Sequence, residues 1–325
     1  MRAVVLDEHG GPEVLQVREV PDPVPGPEEI LVEVVATALN RADLLQRKGF
    51  YPGPPADHEI PGMELAGRVV ATGERAGFRS VGDEVMAIVS GGADAELVVL
   101  HERQTMRIPD SVDLGDAAAI PEVFITAWDA LVLQGGLRPG DVALVHAGAS
   151  GVGTAAIQLA RSAGAQVAVT ASAGKLDGCR DLGADLAVDY GAEDFVRAIA
   201  EWTDGRGVDV VLDVIGGDYL QRNVDSLAIG GRIVQVGVMG SGSATFSLGA
   251  LLPKRAALIG TVLRARPLEE KIAISRRFER EVVPLFESGD LRPVIDSRFA
   301  LDDIAAAHER MESNANVGKI LVDVR

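Results

Sequence analysis

Short apolar runs separated by glycine and proline dominate the first hundred residues. Each run is four to seven residues long and rich in β-branched residues, which predicts β-strands rather than helices. The predicted strands cover 3–6, 30–36, 65–71, 84–89 and 95–100, and prolines at every second position of 21–27 interrupt the pattern. Strands at this spacing predict a β-rich domain shaped as a partly open barrel.

Beyond residue 111 the pattern changes to alternating strands and helices. A helical stretch is predicted over 117–133, and it is followed by predicted strands at 142–146, 166–170, 186–189, 208–214, 232–236 and 257–263. Helical patterns at 152–163, 175–182, 194–202 and 218–227 separate these strands. Repeated β-α-β units predict an α/β fold with a doubly wound parallel sheet. From about residue 294 strand-like runs such as 319–324 return, and we expect them to rejoin the first domain.

The segment 148–153, which reads GASGVG, joins a predicted strand to a predicted helix. This strand–turn–helix context is what the dinucleotide-binding fingerprint requires. We expect Gly148 to permit a tight turn and Gly153 to bring the helix close to the strand. The intervening amides can then face a pyrophosphate at the helix N-terminus. The cofactor-binding residues expected in this loop are Gly148, Ser150, Gly151, Val152 and Gly153.

No acidic residue follows the second strand of this predicted unit. An NAD-specific fold usually places Asp or Glu about 20 residues after the fingerprint, where it accepts hydrogen bonds from the ribose hydroxyls. Here Ser172 and Lys175 follow instead, and Tyr190 follows the next strand. A hydroxyl and an ammonium suit an adenosine 2′-phosphate, so the sequence predicts NADPH as the cofactor. The alternative is that Ser172 is a helix N-cap and Lys175 a solvated first-turn residue.

Acidic residues outnumber basic residues by 48 to 31, which gives a net charge of −17. This charge repels phosphate backbones and anionic lipids, so we expect neither nucleic acid nor a membrane as a partner. Cys179 is the only cysteine, which excludes an intrachain disulfide and a thiolate zinc cluster. No stretch approaches the ~20 apolar residues of a membrane span, and the run at 3–6 is too short for a signal peptide. A soluble cytoplasmic protein is therefore expected.

Four segments carry a family resemblance: ALNRADL at 38–44, IPGMELAG at 60–67, VHAGASGVG at 145–153 and NANVGK at 314–319. They resemble the medium-chain dehydrogenase/reductase superfamily and its zinc-free quinone oxidoreductase branch, most of all the tumour-suppressor-inducible group of animals. The resemblance covers nearly the whole chain. It implies a GroES-like substrate domain at 1–120 and 264–325 and an NADPH-binding Rossmann domain at 121–263. The implied activity is NADPH-dependent reduction of a quinone.

Zinc-dependent relatives carry a cysteine where Asn40 stands and a histidine where Met63 stands. Glu64, which neighbours the zinc in those relatives, has no metal to serve. The resemblance therefore implies no metal site, and without a Lewis acid we do not expect alcohol dehydrogenase activity. The acceptor must then be electrophilic itself. A quinone accepts a hydride directly and spreads the charge over a conjugated oxyanion, so the enzyme needs mainly orientation and a few donors.

The resemblance also implies which side chains surround the reacting groups. It places Asn40, Asp43 and Tyr51 beside the cleft where nicotinamide meets substrate. We expect Asn40 to donate to a carbonyl, Tyr51 to donate its phenol or stack on a ring, and Asp43 to orient its neighbours. Alternatively, Asn40 caps a helix and Tyr51 is a loop residue stiffened by prolines. The implied contacts of the nicotinamide half are Thr126, Gly237, Val238 and Met239, with Leu263, Arg264 and Asn316 as further cofactor candidates.

Other interpretations share the same fold. A zinc-free NADPH-dependent reductase of an enal, enone or enoyl thioester would carry the same loop and lack the same zinc ligands. A non-catalytic NADPH-binding protein is a third possibility, against which the retention of Asn40, Tyr51 and Thr126 argues. The apolar run 256–263 predicts the last strand of the cofactor domain. Its open edge predicts a homodimer, as in relatives. We expect His146, at the end of a buried strand, to be a satisfied core residue.

Overall fold

The computed structural model describes residues 1–325, which divide into two compact units. The first, here called the discontinuous unit, comprises Met1–Ile125 and Leu263–Arg325. The second, the central unit, comprises Thr126–Val262. The chain thus passes between units at 125/126 and 262/263, whereas the sequence analysis divides it after residues 120 and 263.

Fifteen strands and ten α-helices make up these units. The strands are β1 (Arg2–Val5), β2 (Gln16–Glu19), β3 (Glu29–Ala38), β4 (Glu64–Thr72), β5 (Glu84–Ile88), β6 (Leu97–His101), β7 (Thr105–Arg107), β8 (Val142–His146), β9 (Gln166–Ala171), β10 (Leu186–Asp189), β11 (Val208–Asp213), β12 (Leu227–Gln235), β13 (Ala257–Gly260), β14 (Ile295–Ala300) and β15 (Lys319–Asp323). The helices are α1 (Arg41–Arg47), α2 (Pro121–Trp128), α3 (Gly151–Ser162), α4 (Leu176–Asp181), α5 (Phe195–Trp202), α6 (Tyr219–Ser226), α7 (Leu248–Lys254), α8 (Leu268–Glu281), α9 (Val283–Glu287) and α10 (Ile304–Glu312).

The central unit is built on a six-stranded sheet in the order β10-β9-β8-β11-β12-β13. Every pairing in this sheet is parallel, which confirms the predicted doubly wound arrangement. All five residues of β8 are buried, as expected for a strand that helices cover on both faces. In such a sheet the ligand site is expected at the carboxyl ends of the strands, where the strand order reverses beside β8.

The discontinuous unit contains a seven-stranded sheet in the order β14-β15-β3-β4-β5-β7, with β6 paired to β3. Buried and half-buried residues alternate along most of β3, with Ile30, Val32 and Val34 facing the core. The tail rejoins this unit as predicted, because β15 pairs antiparallel with β3 and sets Leu321 opposite Ala38. That pairing brings the start of β15 to the end of β3, where α1 begins.

The helical prediction over 117–133 is only partly right. A 3-10 turn (Asp116–Ala119) comes first, α2 begins at Pro121, and a π-helical turn (Asp129–Gln134) follows. Proline suits the first turn of a helix because its missing N–H has no partner to lose there. The sequence analysis assigned nothing to 268–287, which form α8 and α9, and it also missed β2, β7 and α7.

Candidate active site

The glycine-rich loop of the central unit connects β8 to α3. Ser150 is the N-cap of α3, and its Oγ accepts a hydrogen bond from the Gly153 amide at 3.0 Å. Gly151 and Val152 occupy the first two helical positions, where main-chain amides have no partner within the helix. Such amides and the positive end of the helix dipole form a site for phosphate.

Two positions in this loop require glycine because a side chain there would collide with neighbouring atoms, and not because the backbone adopts a conformation that favours glycine. A Cβ on Gly148 would lie 2.7 Å from Cβ of Val169, and a Cβ on Gly153 would lie 2.3 Å from the carbonyl oxygen of Ala147. The expected close approach of helix and strand at Gly153 is therefore confirmed. The left-handed residue of the turn is Ala147 (φ 55°), and Gly148 follows it directly. The amides at the start of α3, held in place by this close packing, fit the pyrophosphate of a dinucleotide.

The candidate contacts of the 2′-phosphate follow two neighbouring strands. Ala171 ends β9 and stands opposite Asp189, which ends β10. Ser172 and Tyr190 come directly after these residues, and the carbonyl of Ser172 accepts a hydrogen bond from the Lys175 amide at 2.9 Å. Ser172 and Lys175 are half-buried and Tyr190 is 52% exposed. The three residues thus belong to one end of the sheet, and no acidic residue follows β9 directly.

The segment after β12 lies at the same edge of the central sheet. Gly237 accepts a hydrogen bond from Nε2 of Gln235 at 2.7 Å, and the Met239 amide donates to the carbonyl of Val214 at 2.9 Å. The side chains of Val238 and Met239 are about half exposed, at 49% and 47%. A cavity of about 240 Å³ opens beside this segment, lined among others by Gly216, Gly217, Gln235, Val238 and Ser241.

His146 belongs to a closed hydrogen-bond network in the core of the central unit. Its Nδ1 lies 2.9 Å from Oγ1 of Thr170, and its Nε2 lies 2.7 Å from Oδ1 of Asn223. Asn223 in turn donates through Nδ2 to Asp213 at 2.9 Å, and two main-chain amides donate to the other oxygen of that carboxylate. Burial lowers the pKa of His146. The predicted core role of His146 is confirmed.

In the discontinuous unit, Asn40 is buried at the junction of β3 and α1, with 8% of its surface exposed. Its main-chain amide donates to Oδ2 of Asp43 at 2.7 Å. Its side-chain Nδ2 donates to the carbonyl of Ala38 at 3.2 Å and to Oε1 of Glu64 at 2.8 Å. Both amide protons are therefore used within the protein. Asn40 holds Glu64 in place here, and its expected role as a donor to a substrate carbonyl stays a prediction.

A buried ammonium that the sequence analysis missed completes this group. Nζ of Lys319 donates to the carbonyl of Leu39 at 2.6 Å, to Oδ1 of Asn40 at 2.8 Å and to Oε1 of Glu64 at 2.7 Å. The Glu64 side chain is fully buried and that of Lys319 is 3% exposed. All three ammonium protons are used, and Oε2 of Glu64 accepts from the main-chain amide of Glu122 at 2.8 Å. The only sequence signal was the position of Lys319 at the end of NANVGK.

Three further buried carboxyls surround this ion pair. Burial raises the pKa of Asp43 to about 6, and burial raises the pKa of Asp94 and of Glu122 to about 8. Neighbouring carboxylates add to each shift, Glu64 in the case of Glu122 and Asp43 in the case of Asp94. One oxygen of each group is buried without a hydrogen-bond partner. Asp94 and Glu122 are therefore mainly neutral acids at pH 7.

Arg264 holds the loop that carries Tyr51. Its Nε donates to the carbonyl of Ser90 at 2.6 Å, one Nη donates to the carbonyl of Tyr51 at 3.2 Å, and the other donates to Gln46 at 2.8 Å. The guanidinium carbon lies 4.7 Å from the centre of the half-buried Tyr51 ring, and Lys271 donates to the hydroxyl of Ser90. Burial raises the pKa of Tyr51, and Glu122 contributes to the rise. The Arg264 side chain is thus committed to this loop, and its main-chain carbonyl accepts a hydrogen bond from the Ser90 hydroxyl at 3.3 Å.

The remaining predicted cofactor residues fall in both units. Leu263 and Asn316 are buried in the discontinuous unit, where Nδ2 of Asn316 donates to the carbonyl of Gly318 at 3.0 Å. Thr126, half-buried, is on α2 four residues after Glu122, so their side chains share a face of that helix.

Comparison with known proteins assigns the family. Residues 26–110 match the alcohol dehydrogenase GroES-like domain, and residues 182–322 match the zinc-binding dehydrogenase domain. A quinone oxidoreductase of Pseudomonas aeruginosa is 35% identical over 321 residues, which cover 97% of both chains. The chain belongs to the medium-chain dehydrogenase/reductase superfamily. The mouse synaptic vesicle membrane protein VAT-1 homolog is 34% identical over 341 residues, covering 99% of this chain and 83% of that protein.

Solved structures of the superfamily agree over the full length of the chain. Escherichia coli quinone oxidoreductase complexed with NADPH superimposes with a TM-score of 0.90 at 30% identity and covers 100% of both chains. JamJ enoyl reductase superimposes with a TM-score of 0.89 at 26% identity, covering 100% of this chain and 99% of that one. The predicted GroES-like and Rossmann folds are confirmed, and this chain is an oxidoreductase of the medium-chain family that uses a nicotinamide cofactor.

The donor set of this medium-chain oxidoreductase does not suit a metal. No group of three or more histidine, cysteine, aspartate or glutamate side chains is arranged to hold one. Asn40 and Met63 are buried, and the oxygens of Asn40 and Glu64 already accept hydrogen bonds from Lys319. An ammonium inside the cluster repels a second cation.

No helix of the protein combines the length and the apolar character that crossing a membrane requires.

Proposed function

We propose that this protein is an NADPH-dependent quinone oxidoreductase that transfers hydride without a metal. The observation that carries the proposal is the three-way contact of the Lys319 ammonium with Asn40, Glu64 and the carbonyl of Leu39. A site organised around an ammonium cannot polarise an unactivated carbonyl as zinc does. It therefore favours an acceptor that is electrophilic by itself, and a quinone is one.

NADPH is the proposed hydride donor, and the central unit supports it. The amides of Gly151 and Val152 would bind the pyrophosphate, with Gly148, Ser150 and Gly153 shaping the loop. Lys175, with Ser172 and Tyr190, would bind the 2′-phosphate, since a charge-assisted contact from an ammonium favours a phosphate over a ribose hydroxyl. The proposed contacts of the nicotinamide half are Thr126, Gly237, Val238 and Met239 of the central unit. Leu263, Arg264 and Asn316 stay further candidates for cofactor binding.

On the acceptor side we assign Tyr51 as the group that meets the substrate. Its contacts within the protein are made by the ring and the main-chain oxygen, which leaves the phenol to donate to a quinone oxygen. Asn40 and Asp43 hold the start of α1 and the Glu64 carboxylate in place. Hydride transfer adds two electrons to the quinone, and the negative charge that develops on its oxygen is stabilised by nearby donors.

The second candidate is reduction of an enal, enone or enoyl thioester. The similarity to JamJ enoyl reductase favours it, and the neutral acid Glu122 suits a reaction that must add a proton to a carbanion-like product. The two candidates share the hydride donor and differ in the acceptor. A quinone remains the preferred acceptor because two quinone oxidoreductases match this chain over at least 97% of their lengths.

We also propose a homodimer formed through β13. This strand is the edge of the six-stranded sheet, so one side of its main chain is free to pair with a second copy. Apolar side chains are exposed on or near this edge: Leu248, Leu252, Leu258 and Val262. Sedimentation as a dimer at micromolar concentration is expected, and a monomer at that concentration would contradict the proposal.

The test is NADPH oxidation, followed by absorbance, with chelator-treated protein and a panel of quinones, enals and an enoyl thioester. We expect turnover with quinones, and a kcat/KM for NADPH at least ten times that for NADH. Turnover of the thioester or enal alone would replace the quinone proposal by the second candidate. NADPH binding with no acceptor reduced would contradict both and favour the non-catalytic interpretation. Loss of activity on chelation, restored by zinc, would contradict the metal-free assignment.

A further inference from the structure

Glu122 is a buried acid to which the quinone proposal assigns no role so far. It is the second residue of α2, and its main-chain amide is held by Oε2 of Glu64 at 2.8 Å. The residue as a whole is half-buried, but Oε2 of its own side chain is buried and has no hydrogen-bond partner. An unpaired carboxylate in such a place would be very costly, whereas a neutral carboxylic acid is tolerated.

The surroundings of Glu122 connect it with the proposed acceptor site. Charged and titratable groups from several elements act on it: Glu64 on β4, Asp43 on α1, Lys319 on β15 and Arg264. Glu122 in turn acts to raise the pKa of Lys271 on α8 and the pKa of Tyr51. Glu122 thus shares a neighbourhood with the phenol of Tyr51 and the guanidinium that holds the Tyr51 loop. Its helix also carries Thr126 on the same face.

We propose that Glu122 is the acid that protonates the reduced acceptor. This inference rests on the proposed function, because it concerns the second half of the same reduction. The two carboxyls Asp43 and Asp94 serve less well: Asp43 accepts from the Asn40 amide, and Asp94 accepts from the Thr37 hydroxyl at 3.2 Å. Lys271 is bonded to Ser90, and all three protons of Lys319 are used.

The step balances with the hydride donor named above. The C–H bond of the bound reduced nicotinamide would break, and its hydrogen, with two electrons, would bond to one quinone oxygen, so that the other oxygen becomes an oxyanion. The O–H bond of Glu122 then breaks as a new O–H bond forms on that oxygen, which gives the hydroquinone. Glu122 is left as a buried carboxylate next to Glu64, which favours rapid recovery of a proton from water before the next turnover.

The test uses Glu122→Gln in the full-length protein, with Asp94→Asn as the matched control. Both substitutions replace an acid that is neutral at pH 7 by a neutral amide of the same shape, so each removes only the transferable proton. For the wild type, kcat for quinone reduction is expected to fall as pH rises through about 8, because the acid form is the active one.

In Glu122→Gln we expect kcat to fall on the order of 10²-fold, the lower end for loss of a general acid. The alkaline decline and the solvent deuterium isotope effect should disappear, while the KM for quinone and the Kd for NADPH stay within about twofold. In Asp94→Asn, kcat and the alkaline decline should be unchanged. A purely structural role of Glu122 would instead lower the melting temperature and raise KM without changing the pH profile.

The inference is overturned if Glu122→Gln keeps the wild-type kcat and alkaline decline, or if Asp94→Asn loses that decline. Should Glu122→Gln fail to fold, Glu122→Asp decides the matter: a displaced acid should lower kcat yet keep the alkaline decline. Failure of the proposed function is a separate result, because the wild type itself would then reduce no quinone.

Discussion

The two units treat buried polar groups in opposite ways. In the central unit His146, Asn223 and Asp213 form a closed network in which each polar atom has a partner. In the discontinuous unit Asp94 and Glu122 each keep one buried oxygen without a partner. Every buried side-chain nitrogen or oxygen that lacks a partner belongs to the discontinuous unit.

This difference distinguishes the central unit, whose polar groups serve as a scaffold, from the discontinuous unit, whose polar groups belong to the proposed acceptor site. A satisfied network fixes one conformation of the sheet edge and resists titration, because any change of charge would break several hydrogen bonds. Unpaired buried carboxyls cost free energy, and they give a pKa that suits proton transfer near neutral pH. The central unit can thus present a cofactor rigidly, while the discontinuous unit holds Glu122, the acid proposed to protonate the acceptor. Four predictions test this contrast, from the largest effect to the smallest.

The largest effect should follow Lys319→Met, which removes the one cation bonded to Glu64. Breaking a buried ion pair by removing one partner costs about 3–5 kcal/mol, and here Asn40 also loses a donor. Chemical denaturation would measure the loss in unfolding free energy. The control is Lys48→Met, since Lys48 is 43% exposed and pairs with Glu312 at the surface, where we expect a change below about 1 kcal/mol. Equal losses in the two variants would remove the argument that Lys319 organises the site.

Next in size is Asn223→Leu, which opens the closed network of the central unit. It deprives the Asp213 carboxylate of a donor and His146 of an acceptor, at an expected cost of about 2–4 kcal/mol. Asp94→Asn, by contrast, should change the unfolding free energy by less than about 1 kcal/mol at pH 7, because a neutral amide replaces a neutral acid. A larger loss from Asp94→Asn than from Asn223→Leu would reverse the contrast between the units.

A smaller effect concerns cofactor choice. Lys175→Ala should weaken NADPH binding about 10- to 100-fold, since a hydrogen bond to a charged group contributes about 1.5–3 kcal/mol. NADH binding should stay the same, because NADH carries no 2′-phosphate. Calorimetric titration of both cofactors measures this directly. Equal weakening of NADH would assign Lys175 to the shape of the loop rather than to the 2′-phosphate.

The smallest effect, taken over a few tenths of a pH unit, is the change of stability with pH. The pKa values of Asp94 and Glu122 are raised to about 8 in the folded protein, so between pH 6.5 and 8 the folded state holds protons that the unfolded state has released. The unfolding free energy should therefore fall as pH rises, by up to about 1.4 kcal/mol per pH unit for each group, and level off above pH 8. The double variant Asp94→Asn/Glu122→Gln should lack this decline; a wild-type curve that rises or stays flat in this window contradicts the two raised pKa values.

Much of the fold follows from the sequence because its signals are local. The strands of the central sheet are continuous apolar runs. The glycine loop is the six-residue segment 148–153, which leads from β8 into the first turn of α3. The helices α8 and α9 were missed because their polar faces and Pro284 obscure the apolar stripe that α8 buries.

The group of buried carboxyls around Lys319, which comprises Glu64, Asp43, Asp94 and Glu122, could not be predicted in the same way. Lys319 and Glu64 are 255 residues apart, and Arg264 and Tyr51 are 213 apart, so only the pairing of β15 with β3 and the return of the chain bring them together. The position of Glu122 directly after Pro121 also does not indicate that one of its carboxyl oxygens is buried. The contacts of Asn40 could not be predicted for the same reason, since its partner Lys319 is distant in sequence.

One measurement tests the neutral acid at the centre of this account: an infrared pH titration of the cofactor-free protein, comparing the wild type with Glu122→Gln. In the wild type, the carbonyl stretch of a protonated carboxylic acid should be present at pH 7 and should disappear with a midpoint near pH 8. In Glu122→Gln this band should be weaker at pH 7. Identical spectra of the two proteins at pH 7 would mean that Glu122 is already ionised, and the assignment of a proton-supplying cluster to the discontinuous unit would be wrong.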